Sequence, residues 1–346
     1  VEEAGIRMVE ATRVAPEVYR TSERVEESPV LKSVSVPTPV EMLFLDLPLL
    51  TGDEAPHAPY VAASARPWPG AVALHSSPTD SNYVLQSIIK RKSLIGRTLS
   101  PLFAGRAGLW DRQIGFELRL VDGTLSAASA GDLFAGANML AIGDGTAGNW
   151  ELLQFAEAQP IATRTYRVGH LLRGQAGSDA LIPDVWPVGS YVVVMNGTAE
   201  QITLPNASRG APRHYRFGPV KRPLNDPSYR HVIHELAGNG YRPYRVTHLT
   251  AIEGDGETTF KWIRRTRIDG DIWGAQDVPL GEDFEAYQVQ VLDGGMVQRE
   301  ETVAEPAWTY TDADRMADVG ANPYVLRVAQ ISSRFGPGPA HEITVV

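Results

Sequence analysis

The chain has no cysteine, which excludes disulfide scaffolds, thiol catalysis and cysteine-ligated zinc sites. It also lacks the roughly 20 consecutive apolar residues that a membrane-spanning helix needs. Its most apolar run, residues 42–50, is interrupted by Asp46 and Pro48. The net charge of −9 argues against a general nucleic-acid binder, because phosphate neutralisation requires clustered Lys and Arg. We therefore expect no membrane span and no sequence-specific binding of nucleic acid.

Length and composition predict a folded chain with more than one domain. At 346 residues the chain is long enough for two or three domains, each with a core of its own. Hydrophobic residues make up 43% and charged residues 21%, proportions typical of folded rather than disordered proteins. The chain begins at Val1 instead of Met, and its start lacks the apolar core of a signal peptide. We therefore expect a segment of a longer polypeptide.

The spacing of apolar residues predicts a mainly β protein built from several small β-rich domains. Residues 1–30 are rich in charge and indicate a linker or the end of an upstream domain. From 31 to 210, alternating runs separated by proline and glycine predict hairpins, with one short helix at 130–138. Residues 211–244 are rich in proline and predict a connection. The last domain is predicted to span 245–346.

The region 245–346 predicts a seven-stranded β-sandwich. Its apolar runs are short, evenly spaced and alternating, which is the pattern of sandwich domains. Trp262 lies in such a run and is expected to fill the core, because no cysteine pair is available to join the two sheets. The run Arg-Val-Ala-Gln-Ile-Ser at 327–332 and the Gly-Pro-Gly loop at 336–338 make this region resemble a fibronectin type III domain.

A second resemblance covers nearly the whole chain. The stretches that carry it are 43–50, 68–70, 149–155, 170–178, 264–267 and 278–282. The most specific stretch reads His-Leu-Leu-Arg-Gly-Gln-Ala-Gly-Ser and is similar to the family's Leu-Leu-Arg-Gly-x-x-Gly-Thr run, with Ser178 in place of Thr. The chain resembles the carboxy-terminal part of the baseplate hub protein of gene transfer agents and of related phage-tail host-specificity, megatron-like proteins.

The resemblance implies a structural component of the tail baseplate of a phage-like particle. Such a component forms part of the hub that contacts the recipient cell and allows DNA delivery. The implied assembly is a homotrimer, whose partners are other baseplate and distal tail proteins and the recipient cell envelope. The implied location is a particle that assembles in the bacterial cytoplasm and is then released. A glycosidase-like domain lies upstream in some members of the family, and this chain does not resemble it, so we expect no enzyme activity from this segment.

Four side chains are candidates for contacts with a partner or a glycan: Arg173, Tyr241, Trp273 and Trp308. The guanidinium of Arg173 has the geometry to bind a carboxylate or carbonyl of a partner, and the alternative is that it pins its own loop. The three aromatic residues lie near predicted loops, where an exposed ring is able to stack on a sugar. Packing in a core or at its edge is the alternative.

Three stretches contain residues of the types that bind metals or phosphates, but the spacing in none of them predicts a ligand site. His231 and His234 lie three residues apart, which is not the spacing of a helical zinc pair. The acidic residues between 269 and 283 lack the ligand register of an EF-hand and predict a solvated loop. The glycine-rich stretch 143–148 has no Lys and precedes a strand, so it predicts a turn and not a phosphate loop.

The sequence contains no compact set of catalytic residues, so we expect no active site, no cofactor and no metal. The favoured hypothesis is a structural role, based on subunit contacts, in a tail baseplate. The alternative is a carbohydrate-binding accessory segment of a tail enzyme that degrades the cell envelope. A standalone hydrolase is a third and weaker hypothesis.

Overall fold

The computed structural model describes residues 2–3, 6–7, 9–16, 39–268, 270 and 278–346. The chain is mainly β, as the sequence predicts, with 43% of residues in strands and 8% in helices. Across these described ranges no helix is both long enough and apolar enough to cross a lipid bilayer.

The chain divides into two units, Val1–Val36 and Pro37–Val346. In the smaller unit, strand β1 (Glu2–Glu3) pairs antiparallel with strand β2 (Ile6–Arg7). The larger unit holds the other strands and both α-helices.

Strands β3 to β13 occupy the first part of the larger unit. They are Glu41–Leu45, Tyr60–Ser64, Val72–Ser77, Val84–Ile89, Ile95–Thr98, Leu102–Phe103, Trp110–Asp111, Phe116–Leu120, Met139–Gly143, Trp150–Ala162 and Thr165–Leu172. Strands β14 to β26 are Val185–Trp186, Tyr191–Val194, Glu200–Gln201, Pro212–Pro219, Arg230–Glu235, Thr247–Glu253, Glu257–Ile263, Tyr287–Asp293, Met296–Val303, Ala307–Thr311, Tyr324–Ser332, Gly336–Pro337 and His341–Val345. The α-helices are α1 (Ala130–Phe134) and α2 (Asp312–Asp318), and 3₁₀ turns lie at Gln175–Leu181, Asn206–Ser208 and Asn239–Tyr241.

Six strands of the larger unit close into an antiparallel barrel. Their order is β10-β7-β15-β11-β12-β13, and β10 pairs with β13 to complete the circle. Successive side chains of a strand point to opposite faces, so Leu153 and Phe155 of β12 lie in the barrel core. Trp150 and Leu152 of the same strand belong to a second core outside the barrel, together with β3 residue Leu45. Burial on both faces explains why β12 begins as an almost continuous apolar run.

Two smaller sheets lie outside the barrel, and the one that contains β3 and β4 shares the second core with barrel strands. One has the order β16-β4-β3, and the other has the order β18-β17-β5-β6. Phe44 of β3, Leu74 of β5 and Tyr215 of β17 share one buried core between them. Each of these sheets therefore combines strands that precede the barrel with strands that follow it.

The structure differs from the prediction at 211–244, where β17 and β18 replace the expected connection. Strand β17 alternates His214, Tyr215, Arg216 and Phe217, and only the two aromatic residues face the core. The other face carries charged and imidazole side chains. Because β17 contributes so few apolar residues, its two-residue period is hard to recognise among the prolines that surround it.

The carboxy-terminal region is a sandwich of two antiparallel sheets. One sheet contains β19, β20 and β23, and the other contains β22, β21, β24 and β26, with the short β25 beside β24. These seven main strands form the fibronectin type III-like sandwich that the sequence predicts. Trp262 lies buried between the sheets, and its ring packs edge-on against Tyr287 with centroids 5.2 Å apart.

Both helices are short and begin at capping side chains. The Ser129 hydroxyl accepts a hydrogen bond from the Asp132 amide at the start of α1 (3.2 Å), and Thr311 does the same for α2. Helix α1 is shorter than the predicted 130–138, because Gly136 and Asn138 both adopt positive φ. Helix α2 was not predicted, since it is a single polar segment between two strands.

The barrel and the sandwich meet at the turn that follows β13. The carboxylate of Asp179 accepts a hydrogen bond from Arg265 Nη1 (2.9 Å) and pairs with Arg245 Nη2 (3.1 Å). Gly177 lies against the ring of Tyr244, and a Cβ added at Gly177 would come within 2.2 Å of Tyr244 Cδ1. Ionic and steric contacts therefore fix the sandwich to the barrel at the same turn.

We expect Gly177→Ala to destabilise the chain more than Gly197→Ala does. Both glycines have positive φ, +74° and +79°, so each substitution carries a similar backbone cost. At Gly197 nothing lies within 4 Å of an added Cβ, whereas at Gly177 the ring of Tyr244 must move. The additional loss at Gly177 should be about 1–3 kcal/mol, measured by thermal or urea unfolding. Equal losses for the two variants would contradict the steric contact with Tyr244.

Candidate interaction surface around Arg173

The sequence motif at 170–178 forms the end of β13 and the turn behind it. Gly174 adopts a left-handed conformation, φ +62°, and a Cβ there would lie 2.7 Å from the Asp179 Cα. The Ser178 hydroxyl accepts a hydrogen bond from the Leu152 amide (2.8 Å) and donates one to the Gln175 carbonyl (2.7 Å). The motif therefore folds into a compact turn against β12.

The Arg173 side chain is fully buried and binds a buried carboxylate. Its Nε and Nη2 donate to the two oxygens of Glu151, at 2.5 and 2.8 Å. The Trp186 indole nitrogen donates a third hydrogen bond to Glu151, at 2.7 Å. Two parallel hydrogen bonds between a guanidinium and a carboxylate form a strong, directional pair, and a buried pair needs such complete bonding to offset desolvation.

Arg173 also holds the loop between β8 and β9. Its Nη1 donates to the Phe103 carbonyl (2.8 Å) and lies 3.6 Å from an Asp111 carboxylate oxygen. A Cβ at Gly105 would come within 2.7 Å of Asp111 and 3.1 Å of Arg173, so the loop backbone passes close to the pair. Of the two interpretations of Arg173, the geometry fits a residue that pins its own loops. The expectation of a guanidinium available to a partner is corrected by its complete burial.

The loop that Arg173 holds presents apolar side chains to solvent. Phe103 is 59% exposed and Leu109 57% exposed, and Phe134 at the end of α1 is 73% exposed. The Trp110 and Phe134 rings meet edge to face with centroids 6.1 Å apart, and Phe103 pairs across strands with Val185. An open groove of about 640 Å³ is lined by residues 104–106 and 109–113. We call residues 103–113 with Phe134 and Val185 the apolar rim.

The apolar rim has features of a contact surface. Neighbouring exposed apolar side chains often mark protein interaction sites, and here Phe134 contacts Trp110 while Phe103 pairs with Val185. The buried pair beneath the rim fixes the loop backbone, which lowers the entropy that the loop would lose on binding. Sequence reasoning identified Arg173 but missed the rim, because Phe134 lies far along the sequence from Phe103 and Leu109 and the three residues share no period.

The other candidate aromatic residues are buried or outside the described ranges. Tyr241 is 7% exposed and lies beneath the guanidinium groups of Arg209 and Arg334, with Cζ atoms 5.1 and 5.5 Å from its ring centroid. Trp308 is also 7% exposed, stacks on Tyr310 at 4.9 Å, and donates its indole N–H to Glu301 at 2.9 Å.

These positions correct the expectation that Tyr241 and Trp308 are exposed. Both rings pack at the edges of cores, which was the alternative interpretation, and neither presents a free face of the kind that stacks on a sugar. Trp273 lies outside the residues that the structure describes.

The glycine-rich stretch 143–148 is a turn between β11 and β12, as predicted. The Asp144 carboxylate accepts hydrogen bonds from the Thr146 amide (2.8 Å) and from the Asn149 side chain (2.7 Å). These local bonds turn the chain. Partial burial acts to raise the pKa of Asp144, but the hydrogen bonds from Thr146 and Asn149 outweigh it and hold the pKa below its usual value.

The acidic stretch between 269 and 283 is described only in part. Glu282 is buried and pairs with Arg267 at 2.9 Å, and Asp283 accepts a hydrogen bond from Ser333 at 2.5 Å. Asp269, Asp271 and Asp277 lie outside the described residues.

The two histidines of β18 face opposite sides of their sheet. His234 points inward, where its ring lies 4.4 Å from that of Phe44 and burial lowers its pKa. His231 points outward and meets His214 of β17 and Asp80 of the turn between β5 and β6. The sequence did not reveal this group, because its members come from three separate segments and share no motif.

The family comparison matches the part of the chain that forms the barrel. Residues 93–193 match the model of a family described as Rcc01698-like, C-terminal. This range begins just before β7 and ends in β15, so it coincides with the barrel strands. It includes 149–155 and 170–178, two of the stretches that carry the sequence resemblance. No curated protein matches the chain.

Solved structures add little. The rat CD45 extracellular region, domains d3–d4, is similar over 41% of this chain and 67% of that chain, with 10% sequence identity and a TM-score of 0.23. A score this low carries no argument about fold or function.

We expect Arg173→Ala to lower the free energy of unfolding by about 3–5 kcal/mol, because the substitution leaves Glu151 as an unpaired buried charge. The matched control is Arg167→Ala, which removes an exposed pair with Glu117 (2.7 Å) and should cost at most about 1 kcal/mol. Urea unfolding of both variants measures the difference.

Limited trypsin digestion tests the same pair on the loop. Cleavage after Arg106 and Arg112 should be faster in Arg173→Ala than in Arg167→Ala, because the loop loses the bond from Arg173 to the Phe103 carbonyl. Similar stabilities and similar cleavage rates in the two variants would contradict the anchoring role of Arg173.

Proposed function

We propose that this chain is a structural component of the tail baseplate of a phage-like particle of the gene transfer agent type. In this proposal it forms part of the hub that contacts the recipient cell and allows DNA delivery, and it has no enzyme activity of its own. Its partners are other copies of the chain in a homotrimer and neighbouring baseplate and distal tail proteins. The particle assembles in the bacterial cytoplasm and is then released.

The observation that carries the proposal is the family match over 93–193. The matched range covers the barrel and includes the Arg173 motif, the most specific stretch of the sequence resemblance. The name of the matched family is associated with gene transfer agents. The remaining stretches of the resemblance, outside the barrel, extend the same interpretation to the rest of the chain.

The architecture supports a role in assembly. A closed barrel, a loop pinned by a buried ion pair and a sandwich fixed through Asp179 together form a framework of the kind that holds contact surfaces in a set orientation. The apolar rim is the surface that we assign to contacts with neighbouring subunits of the baseplate, since burial of Phe103, Leu109 and Phe134 stabilises an assembly through the hydrophobic effect.

The alternative, a carbohydrate-binding accessory segment, has less support. It relied on exposed aromatic rings, and both Tyr241 and Trp308 are buried. A glycan array with the intact chain, compared with a Trp273→Ala variant, remains its direct test.

We expect the double substitution Phe103→Asp and Leu109→Asp to reduce incorporation of the chain into particles at least several-fold. The charges would be desolvated at a subunit contact, whereas in the free chain they remain in water. The matched control is Met296→Asp, an exposed apolar position on the sandwich, which should incorporate normally. Quantitative mass spectrometry of purified particles from the host that encodes the chain provides the measurement.

Three results would count against the proposal. Absence of the wild-type chain from purified particles would overturn the baseplate role. Equal incorporation of the rim variant and the control would overturn the assignment of the rim. A monomer by light scattering, for both this segment and any longer form, would overturn the homotrimer.

A further inference from the structure

A cluster of two imidazoles and one carboxylate lies on the outer face of the sheet β18-β17-β5-β6. His214 lies opposite Ile233, and Arg216 lies opposite His231, in the antiparallel register of β17 and β18. Residues directly opposite one another share a face, so His214 and His231 are diagonal neighbours on the side away from the core. Their rings are nearly parallel, with an interplanar angle of 9° and centroids 5.2 Å apart.

The nitrogens of the two histidines are close enough to share one ion. His214 Nδ1 lies 3.0 Å from His231 Nε2, and the ligand atoms of His214, His231 and Asp80 all lie within 4.8 Å of one another. Metal–nitrogen bonds of about 2.0–2.1 Å would give an angle of about 95° at an ion placed between nitrogens this far apart. That angle suits an octahedral or distorted tetrahedral ion.

Two residues that are not part of the cluster, Tyr83 and Arg216, orient the Asp80 carboxylate. Its Oδ1 accepts hydrogen bonds from the Tyr83 hydroxyl (2.5 Å) and from Arg216 Nη2 (3.0 Å), and His231 Nε2 lies 3.9 Å from the same oxygen. The Arg216 guanidinium packs over the Tyr83 ring at 5.0 Å. Groups that orient a ligating carboxylate in this way are a common part of metal sites.

We propose that Asp80, His214 and His231 bind one divalent transition-metal ion, such as Zn²⁺ or Ni²⁺. Imidazole nitrogens suit these ions and are poor ligands for Mg²⁺ and Ca²⁺, which take oxygen ligands. The three residues supply one carboxylate and two nitrogens, and the exposed position of Asp80 and His231 leaves further coordination positions open to solvent or to a donor on a neighbouring molecule.

Two features of the cluster set limits on the affinity. The positive charge of Arg216 lies beside Asp80 and opposes a cation, so the site is expected to be weaker than a structural zinc site with four protein ligands. The ion must also displace the N–H···N hydrogen bond that joins the two rings in its absence.

Isothermal titration of the tag-free 346-residue chain with ZnCl₂ and NiCl₂ at neutral pH tests the site. We expect about one ion per chain, at least a tenfold loss of affinity in His214→Gln and in His231→Gln, and a smaller loss in Asp80→Asn. The matched control is His248→Gln, since His248 is an exposed histidine on β19 of the sandwich. The control should bind as the wild type does, and MgCl₂ should give no binding at this site.

Histidine NMR spectra give a second readout that does not depend on heat of binding. Ni²⁺ should broaden the ring signals of His214 and His231 before those of His248. Circular dichroism checks that each variant folds, and an exposed cluster makes loss of folding unexpected. No binding by the wild type, or unchanged binding by both cluster variants, would overturn the site. Either result leaves the baseplate proposal untouched, because that proposal uses none of these residues.

Discussion

The buried pair of Arg173 and Glu151 is the interaction on which the barrel's surface depends. A charge with no access to water is stable only when its hydrogen bonds are complete. Here Trp186 donates a further hydrogen bond to Glu151, and the Phe103 carbonyl accepts one from Arg173. Glu151 lies on β12, Trp186 on β14 and Phe103 on β8, and Arg173 follows β13. The pair therefore joins segments that are far apart in the sequence. The exposed loop above it is held at its base although its tip is apolar and faces solvent.

The same turn links two parts of the molecule by different physical means. Arg173 points into the barrel, whereas Asp179, six residues later, binds two arginines of the sandwich. Gly177 between them gives the ring of Tyr244 room to approach the backbone. The segment from Arg173 to Asp179 therefore has one charged residue that binds within the barrel and one that binds the sandwich, and Gly174 and Gly177 let the backbone turn between them.

Sequence patterns predicted the individual strands better than the contacts between side chains on different strands. The strands of the sandwich followed from alternation, and most of those in the barrel from short apolar runs, because their buried faces are strongly apolar. Strand β17 was missed because one of its faces carries His214 and Arg216. The Arg173 motif was identified, but its partner Glu151 lies in an apolar run that gives no sign of a buried acid. Asp80 meets His214 and His231 only through strand pairing, which sequence spacing does not encode.

The pairing of β7 with β15 brings the start and the end of the family-matched range side by side. Residues before it and after it join in the same two sheets, as β4 with β16 and β5 with β17 show. The barrel is thus an insertion whose two ends leave its host domain at one place, and such insertions are the kind that folds tolerate well. The barrel keeps its orientation through two kinds of contact: Trp150 donates a hydrogen bond to the Phe44 carbonyl of the host, and the Asp179 carboxylate binds Arg245 and Arg265 of the sandwich.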